Sequence, residues 1–139
     1  MVQNVLILCT GNSCRSIMAE ALFNQLGAGR IKAVSAGSHP AGRVHPKSLE
    51  TLQRHGISPG QPRSKSWDEF VGQQFDLVVT VCDAAAAESC PVFLGPAKML
   101  HWSTPDPAMF TGNEREIGAA FDKAFGMLKE RIEDYLCQM

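Results

Sequence analysis

Apolar positions along the chain follow two alternating patterns. "NVLIL" (Asn4 to Leu8) is an uninterrupted apolar run with the length of a strand buried on both faces of a parallel sheet. Further on, Ile17, Met18, Ala21, Leu22 and Leu26 recur at helical spacing, which predicts an amphipathic helix ending near Gly27. "IKAVSAGS" reads as a second strand, and "HPKSLETLQRHG" as a helix with Pro46 in its first turn and Gly56 just past its end. "GISPGQPRSK" is too rich in glycine and proline to be anything but loop, and behind it Ser66 and Glu69 have the spacing of a capping box on a short helix. "FDLVVTVC" (Phe75 to Cys82) is the clearest β-branched strand, and the alanines at 84 to 87 are helix-prone. "AKMLHW" supplies a fourth strand. After the loop "STPDPAMFTGN", one apolar stripe of Ile117, Phe121, Ala124, Leu128, Ile132 and Leu136 predicts a long helix. There is no internal repeat and no low-complexity tract.

Strands alternating with helices predict an α/β fold, with right-handed crossovers and a parallel sheet covered on both sides. Ligands of such sheets sit outside the carboxyl ends of the strands. Cys9, Cys82 and the "TPDPA" loop all fall at such ends, so three distant pieces of sequence are expected to converge on one crevice.

Composition narrows the function. The 139 residues are 45% hydrophobic and 19% charged, which suits one globular domain, residues 1–139, rather than two. A formal net charge of -1 offers no basic face for nucleic acid, and no polybasic or long apolar segment argues for a membrane. A small-molecule or transient protein partner and a monomeric chain are expected. Nothing near Met1 has the pattern of a signal peptide, so the expected location is the cytoplasm, where five cysteines are thiols with redox, nucleophilic or metal roles.

"CTGNSCRS" (Cys9 to Ser16) stands where the first strand hands over to the first helix. Amides of a tight loop entering a helix point inward and the helix start adds partial positive charge. Thr10, Gly11, Asn12, Ser13, Cys14 and Arg15 therefore form a cradle for a tetrahedral oxyanion. Arg15 supplies a charged fork for two of its oxygens. The same field is expected to lower the pKa of Cys9 and make it a nucleophilic thiolate, with the Ser16 hydroxyl donating to its sulfur. A cysteine that merely ends a buried strand is the bland alternative. The "GK[ST]" ending of a nucleotide-binding P-loop is missing.

This loop, followed by "MAEA", together with "SAGS", "FDLVVTVC", "CPV", "HW" and "DPA", resembles the low-molecular-weight protein tyrosine phosphatase fold over essentially the whole chain, and its arsenate reductase branch more than its phosphatases. The resemblance implies a four-stranded parallel sheet of order 2-1-3-4 flanked by helices, with an oxyanion P-loop. It also implies reduction of arsenate to arsenite, with phosphate or sulfate as substrate analogues, for arsenic detoxification.

Arsenate reduction needs two electrons, which a lone thiolate cannot supply. On the implied pathway Cys9 forms an adduct with arsenic, Cys82 attacks Cys9, and Cys90 attacks Cys82, leaving a Cys82 to Cys90 disulfide for thioredoxin, or in some relatives glutaredoxin, to reduce. In the implied strand order Cys82 and Cys9 end neighbouring strands, at about 4.8 Å spacing. A fully helical "DAAAAES" would hold Cys82 and Cys90 roughly 12 Å apart, too far for a disulfide, so the segment is expected to unwind. Asp106, stiffened between Pro105 and Pro107, is the expected general acid, with a raised pKa.

Some reductases of this kind bind potassium near residues matching Asn12, Glu20 and Ser35, with an acidic residue in the loop before the third helix. Here that loop reads "SKSW", which puts Lys65 and Ser66 where the acid would stand. Potassium is thus the one candidate cofactor, with its acidic ligand missing. Asn12 is also expected to brace the loop through its side chain. Cys14 reads as structural support and Cys137 as idle, His101 and Trp102 as a frame for the crevice below Asp106. His39, His45, His55 and His101 are too scattered for zinc. Two other readings stay open: a phosphatase, weakened by "DPA" in place of an aromatic "DPY", and a redox-sensing anion-binding module.

Overall fold

The first apolar run becomes strand β1 (Gln3–Leu8), in which Val5, Leu6, Ile7 and Leu8 are completely buried. The architecture is seen in a computed structural model that describes residues 2–82 and 97–139. β1 lies between β2 (Ile31–Ala36) and β3 (Leu77–Thr80), and β4 (Lys98–His101) completes a fully parallel sheet of order β2-β1-β3-β4. Ile7 is in register with Ser35 on one side and Val79 on the other. The sheet order matches the one implied by the sequence resemblance.

Side chains alternate across β1 and feed two cores. Val5 and Ile7 join Leu77, Val79 and the residues of three helices, whereas Leu6 and Leu8 join Ala36, Phe75 and Val78 on the opposite face. Among the described residues that second face is covered by Trp67 and Phe70 rather than by a long helix. The helix-prone alanines at 84 to 87 and the "CPV" stretch lie outside the described residues.

α1 (Arg15–Leu26) ends at Gly27 as its spacing predicts, yet it is less amphipathic than expected. Ser16, Ile17, Met18, Ala19, Ala21, Leu22 and Phe23 are all buried, because the helix is packed by β2 on one side and by α3 (Glu114–Cys137) on another. α2 (Pro46–Arg54) starts with proline at its first turn, and Gly56 beyond it takes φ +72°, as the sequence pattern requires. α3 buries Phe121, Ala124, Leu128 and Ile132 of the expected stripe, together with Phe125. It opens with a capping box between Asn113 and Glu116.

The capping box expected at Ser66 and Glu69 does not form. Residues Trp67–Phe70 make a single 3₁₀ turn, in which Ser66 Oγ accepts from the Asp68 amide at 3.1 Å. Glu69 instead turns outward to a bidentate pair with Arg63, at 2.7 and 3.0 Å. The tighter turn brings the second amide, rather than the third, to the cap. No helix among the described residues is long and apolar enough to cross a membrane.

Candidate active site

Carbonyl groups of the loop between β1 and α1 are turned outward and held there. Thr10 O accepts from the His39 amide at 3.0 Å, and Gly11 O from the Ala41 amide at 2.9 Å and Ser64 Oγ at 3.2 Å. Ser13 O accepts from the His45 amide at 3.0 Å and Ser48 Oγ at 3.2 Å. Asn12 adopts φ +47°, the left-handed turn that lets successive amides point the same way. The amides of Asn12, Ser13, Cys14 and Arg15 donate to no acceptor among the described residues, and no side chain caps the start of α1. These donors and the helix dipole suit one tetrahedral anion.

Two buried positions hold this shape. Asn12 Oδ1 accepts from the Lys65 amide at 2.9 Å, and its Nδ2 donates to Ser16 Oγ at 2.8 Å and Ser35 Oγ at 3.0 Å, so the expected bracing is present. Gly37 packs so closely that a Cβ there would lie 2.4 Å from Thr10 O and 2.6 Å from Cys9 O. Ser16 is engaged by Asn12, and no hydrogen bond joins it to Cys9 among the described residues. Ser16 Oγ is buried and accepts from Asn12, so what the structure gives it is a part in the bracing of the loop.

Cys9 and Cys82 are both buried, at 4% and 3% exposure, at the ends of neighbouring parallel strands. The Thr10 amide donates to Cys82 Sγ at 3.3 Å, and the Thr10 hydroxyl lies 3.5 Å from the same sulfur. The parallel register of β1 and β3 causes this convergence, since Leu8 pairs with Thr80 and both chains run on to their cysteines. The bond to Cys82 first, and burial second, push the Cys9 thiol up, while Arg15 and the Gly11 amide pull it down. The lowered Cys9 expected from the sequence is therefore corrected. The anticipated attractive field exists, but a neighbouring thiol and loss of solvent outweigh it. Cys14 is also pushed up, by burial foremost, and lies 3.7 Å from Ser13 Oγ, as fits a supporting residue.

Arg15 reaches across the loop. Its Nη1 donates to the Thr104 carbonyl at 2.9 Å and its Nη2 lies 3.4 Å from Asp106 Oδ2, while Nε is buried with no partner among the described residues. Asp106 is also the cap of a 3₁₀ turn, Pro107–Met109, with Oδ1 accepting from the Ala108 amide at 3.0 Å. Thr10, Arg15, Cys82, Thr104 and Asp106 line one open cleft of about 550 Å³. Of the residues expected at the site, the structure thus gathers Cys9 to Ser16, Cys82 and Asp106. Cys90 lies outside the described residues.

His101 and Trp102 do not frame that cleft. Trp102 is buried and stacks on Phe23 at 5.8 Å between ring centroids, and His101 Nδ1 shares a 2.7 Å hydrogen bond with Thr80 Oγ1. No group of three or more metal-ligating side chains occurs among the described residues. Sequence reasoning missed the Thr104 carbonyl and the Thr10 contacts to Cys82, which depend on tertiary register. The glycine of "SAGS" was the available signal for the close approach at Gly37.

A thiol at the carboxyl end of a parallel strand, a run of amides with no acceptor among the described residues, an arginine fork and a carboxyl across the cleft define a cysteine-centred oxyanion site. The chain belongs to the low molecular weight phosphotyrosine protein phosphatase family, whose model matches residues 4–139. It is 34% identical to an arsenate reductase of Bacillus subtilis over 94% of this chain and 93% of the relative. It is 30% identical to a glutaredoxin arsenate reductase of Synechocystis, over 99% of both. Among solved structures it is similar to an arsenate reductase in the phosphate binding state, with a TM-score of 0.78 at 28% identity, covering 99% of this chain and 98% of that one.

Proposed function

We propose that this chain reduces arsenate to arsenite, with Cys9 as nucleophile and a thiol relay through Cys82 and Cys90. The observation that carries the reading is the seating of Cys82 on the oxyanion loop itself, where the Thr10 amide, next to Cys9, donates to its sulfur at 3.3 Å. Phosphate ester hydrolysis needs no second thiol there, whereas a two-electron reduction does. The similarity to curated arsenate reductases supports the same choice.

Arsenate enters the ring of amides and meets Arg15 Nε. The Cys9 proton passes to the oxyanion dianion as the sulfur attacks. An S–As bond forms and an As–O bond breaks. Asp106 protonates the departing oxygen, which leaves as water. Cys82 then attacks Cys9 Sγ, its proton passing to an oxygen on arsenic: the S–S bond forms, the S–As bond breaks, and its electron pair stays on arsenic, which leaves as arsenite. Cys90 displaces Cys9 from Cys82, restoring Cys9 and leaving a Cys82 to Cys90 disulfide. An external dithiol becomes oxidised as it reduces that bond. Two internal thiols beyond Cys9 favour a dithiol protein of the thioredoxin type, acting in a reducing compartment such as the cytoplasm.

Arsenite release coupled to thioredoxin and, separately, to glutaredoxin with glutathione tests the reading. Sustained turnover with thioredoxin that stops in Cys82→Ala and in Cys90→Ala is expected. Fast multi-turnover hydrolysis of an aryl phosphate by both variants, without arsenate turnover by the unaltered chain, would make it a phosphatase.

A further inference from the structure

Behind the oxyanion loop, on the side away from the cleft, a lysine and a glutamate face each other inside the protein. Lys65 Nζ lies 3.9 Å from Glu20 Oε1, with side-chain exposures of 9% and 13%. The sequence resemblance assigns this region to a potassium ion, so the oxygens can be tested for it. Glu20 Oε1 accepts from Ser35 Oγ at 3.0 Å, and Ser35 Oγ accepts from Asn12 Nδ2 at 3.0 Å. Asn12 Oδ1 accepts from the Lys65 amide at 2.9 Å. Glu20 Oε1, Ser35 Oγ and Asn12 Oδ1 are each already bonded within the protein, and the one carboxylate is balanced by an ammonium. A second cation would meet like charge at short range in a poorly solvated place. The residues present do not fit the ion.

We propose that Lys65 is this chain's own substitute for a bound cation: a positioning residue whose ammonium, set against Glu20, fixes Asn12 and with it the amides that hold the oxyanion. The mechanical link is continuous. Lys65 N is bonded to Asn12, Lys65 O accepts from the Gly37 amide at 2.9 Å, and Gly37 pairs with Ser66 in a parallel bridge. Ser64 Oγ holds Gly11 O, and Lys65 Nζ donates back to Arg63 O at 2.9 Å, which stiffens the segment. Residues 63 to 66 are thus bolted along the back of the loop, and Glu20 on α1 is the anchor that keeps the lysine inside. Burial raises Glu20 and lowers Lys65, each opposed by the partner's charge, as in a pair that would not be buried singly. The consequence for binding is specific: oxyanion affinity depends on the charge of Lys65 and is indifferent to alkali cations.

Inorganic phosphate is the probe, titrated calorimetrically into the whole chain in potassium, sodium and choline chloride at equal ionic strength, with melting temperature measured beside it. The unaltered chain is expected to give the same affinity and the same melting temperature in all three salts. Lys65→Met is expected to weaken phosphate binding by about 2- to 30-fold, the range for a residue that acts through others, and Lys65→Arg to restore most of it. A rise in affinity or melting temperature specific to potassium in the unaltered chain would overturn the proposal, and so would undiminished binding in Lys65→Met or a loss in Lys65→Arg equal to that in Lys65→Met. Should Lys65→Met fail to fold, the salt series on the unaltered chain decides alone. Phosphate binding is read without redox chemistry, so these outcomes stand whether or not the chain reduces arsenate.

Discussion

Arg15 and Asp106 meet across the cleft, Nη2 to Oδ2 at 3.4 Å, while Arg15 Nη1 is anchored on the Thr104 carbonyl at 2.9 Å. On the proposed reading, one guanidinium is thus shared between the bound oxyanion and the carboxyl assigned to protonate it. A tetrahedral anion and the Asp106 carboxylate are competitors for the same fork. Asp106→Asn is accordingly expected to bind phosphate at least as tightly as the unaltered chain, while arsenate turnover falls by about a hundredfold or more, the usual contribution of a positioned acid. Phosphate calorimetry and steady-state kinetics measured together check this. Weaker phosphate binding would mean that Asp106 supports the anion site rather than competing with it.

Gly37 packs directly against the loop, and the nearest obstruction a side chain would meet there is carbonyl oxygen, of Thr10 and Cys9, rather than a movable side chain. Gly37→Ala must push β2 and the loop apart. We expect a loss of about 1–3 kcal/mol of stability, as for other overpacked sites, together with a raised KM for arsenate. Chemical denaturation and initial rates measure the two effects. A stable Gly37→Ala with unchanged KM would contradict the packing described.

How much of this was readable in the sequence differed by element. β1 and β3 were legible because burial on both faces leaves continuous apolar runs, and α3 because its stripe is regular. The cradle was legible because one short segment contains nearly all of it. That Cys9, Cys82 and Asp106 converge was also legible, but what individual contacts do to each side chain was not. The state of Cys9 turns on Cys82, far away in sequence, so local reasoning gave the wrong direction for its pKa. Trp102 was placed near the cleft by adjacency to β4, but the strand pleat sends it into the core against Phe23. Lys65 looked only like a missing acidic ligand until Glu20 was found beside it.

The Cys9 thiol is pushed up chiefly by its bond to Cys82. Removing that partner in Cys82→Ala removes the largest upward cause and leaves Arg15 and the Gly11 amide to act against burial. The sign is therefore downward: Cys9 should become a thiolate at lower pH in the variant. A titration followed by thiolate ultraviolet absorbance, in a background where Cys14, Cys90 and Cys137 are replaced by serine, reports the shift. An unchanged or higher Cys9 pKa would show that Cys82 is not what holds the proton.

The Lys65 and Glu20 pair predicts a characteristic double-mutant cycle. Lys65→Met alone strands a buried carboxylate and should cost roughly 2 kcal/mol or more, at the low end for buried pairs because this one is not fully sealed. Adding Glu20→Gln should recover part of that loss. Denaturant unfolding of the two single variants and the double variant measures the coupling, and strictly additive losses would argue against a direct interaction.

The relay itself is tested most directly by trapping its first disulfide. Cys90→Ser, given one equivalent of arsenate, quenched in acid and digested without reductant, should yield a peptide pair joined through Cys9 and Cys82, with one arsenite released for each bond formed. A bond between Cys9 and Cys14 instead, or arsenite released with Cys82 still a free thiol, would contradict the account.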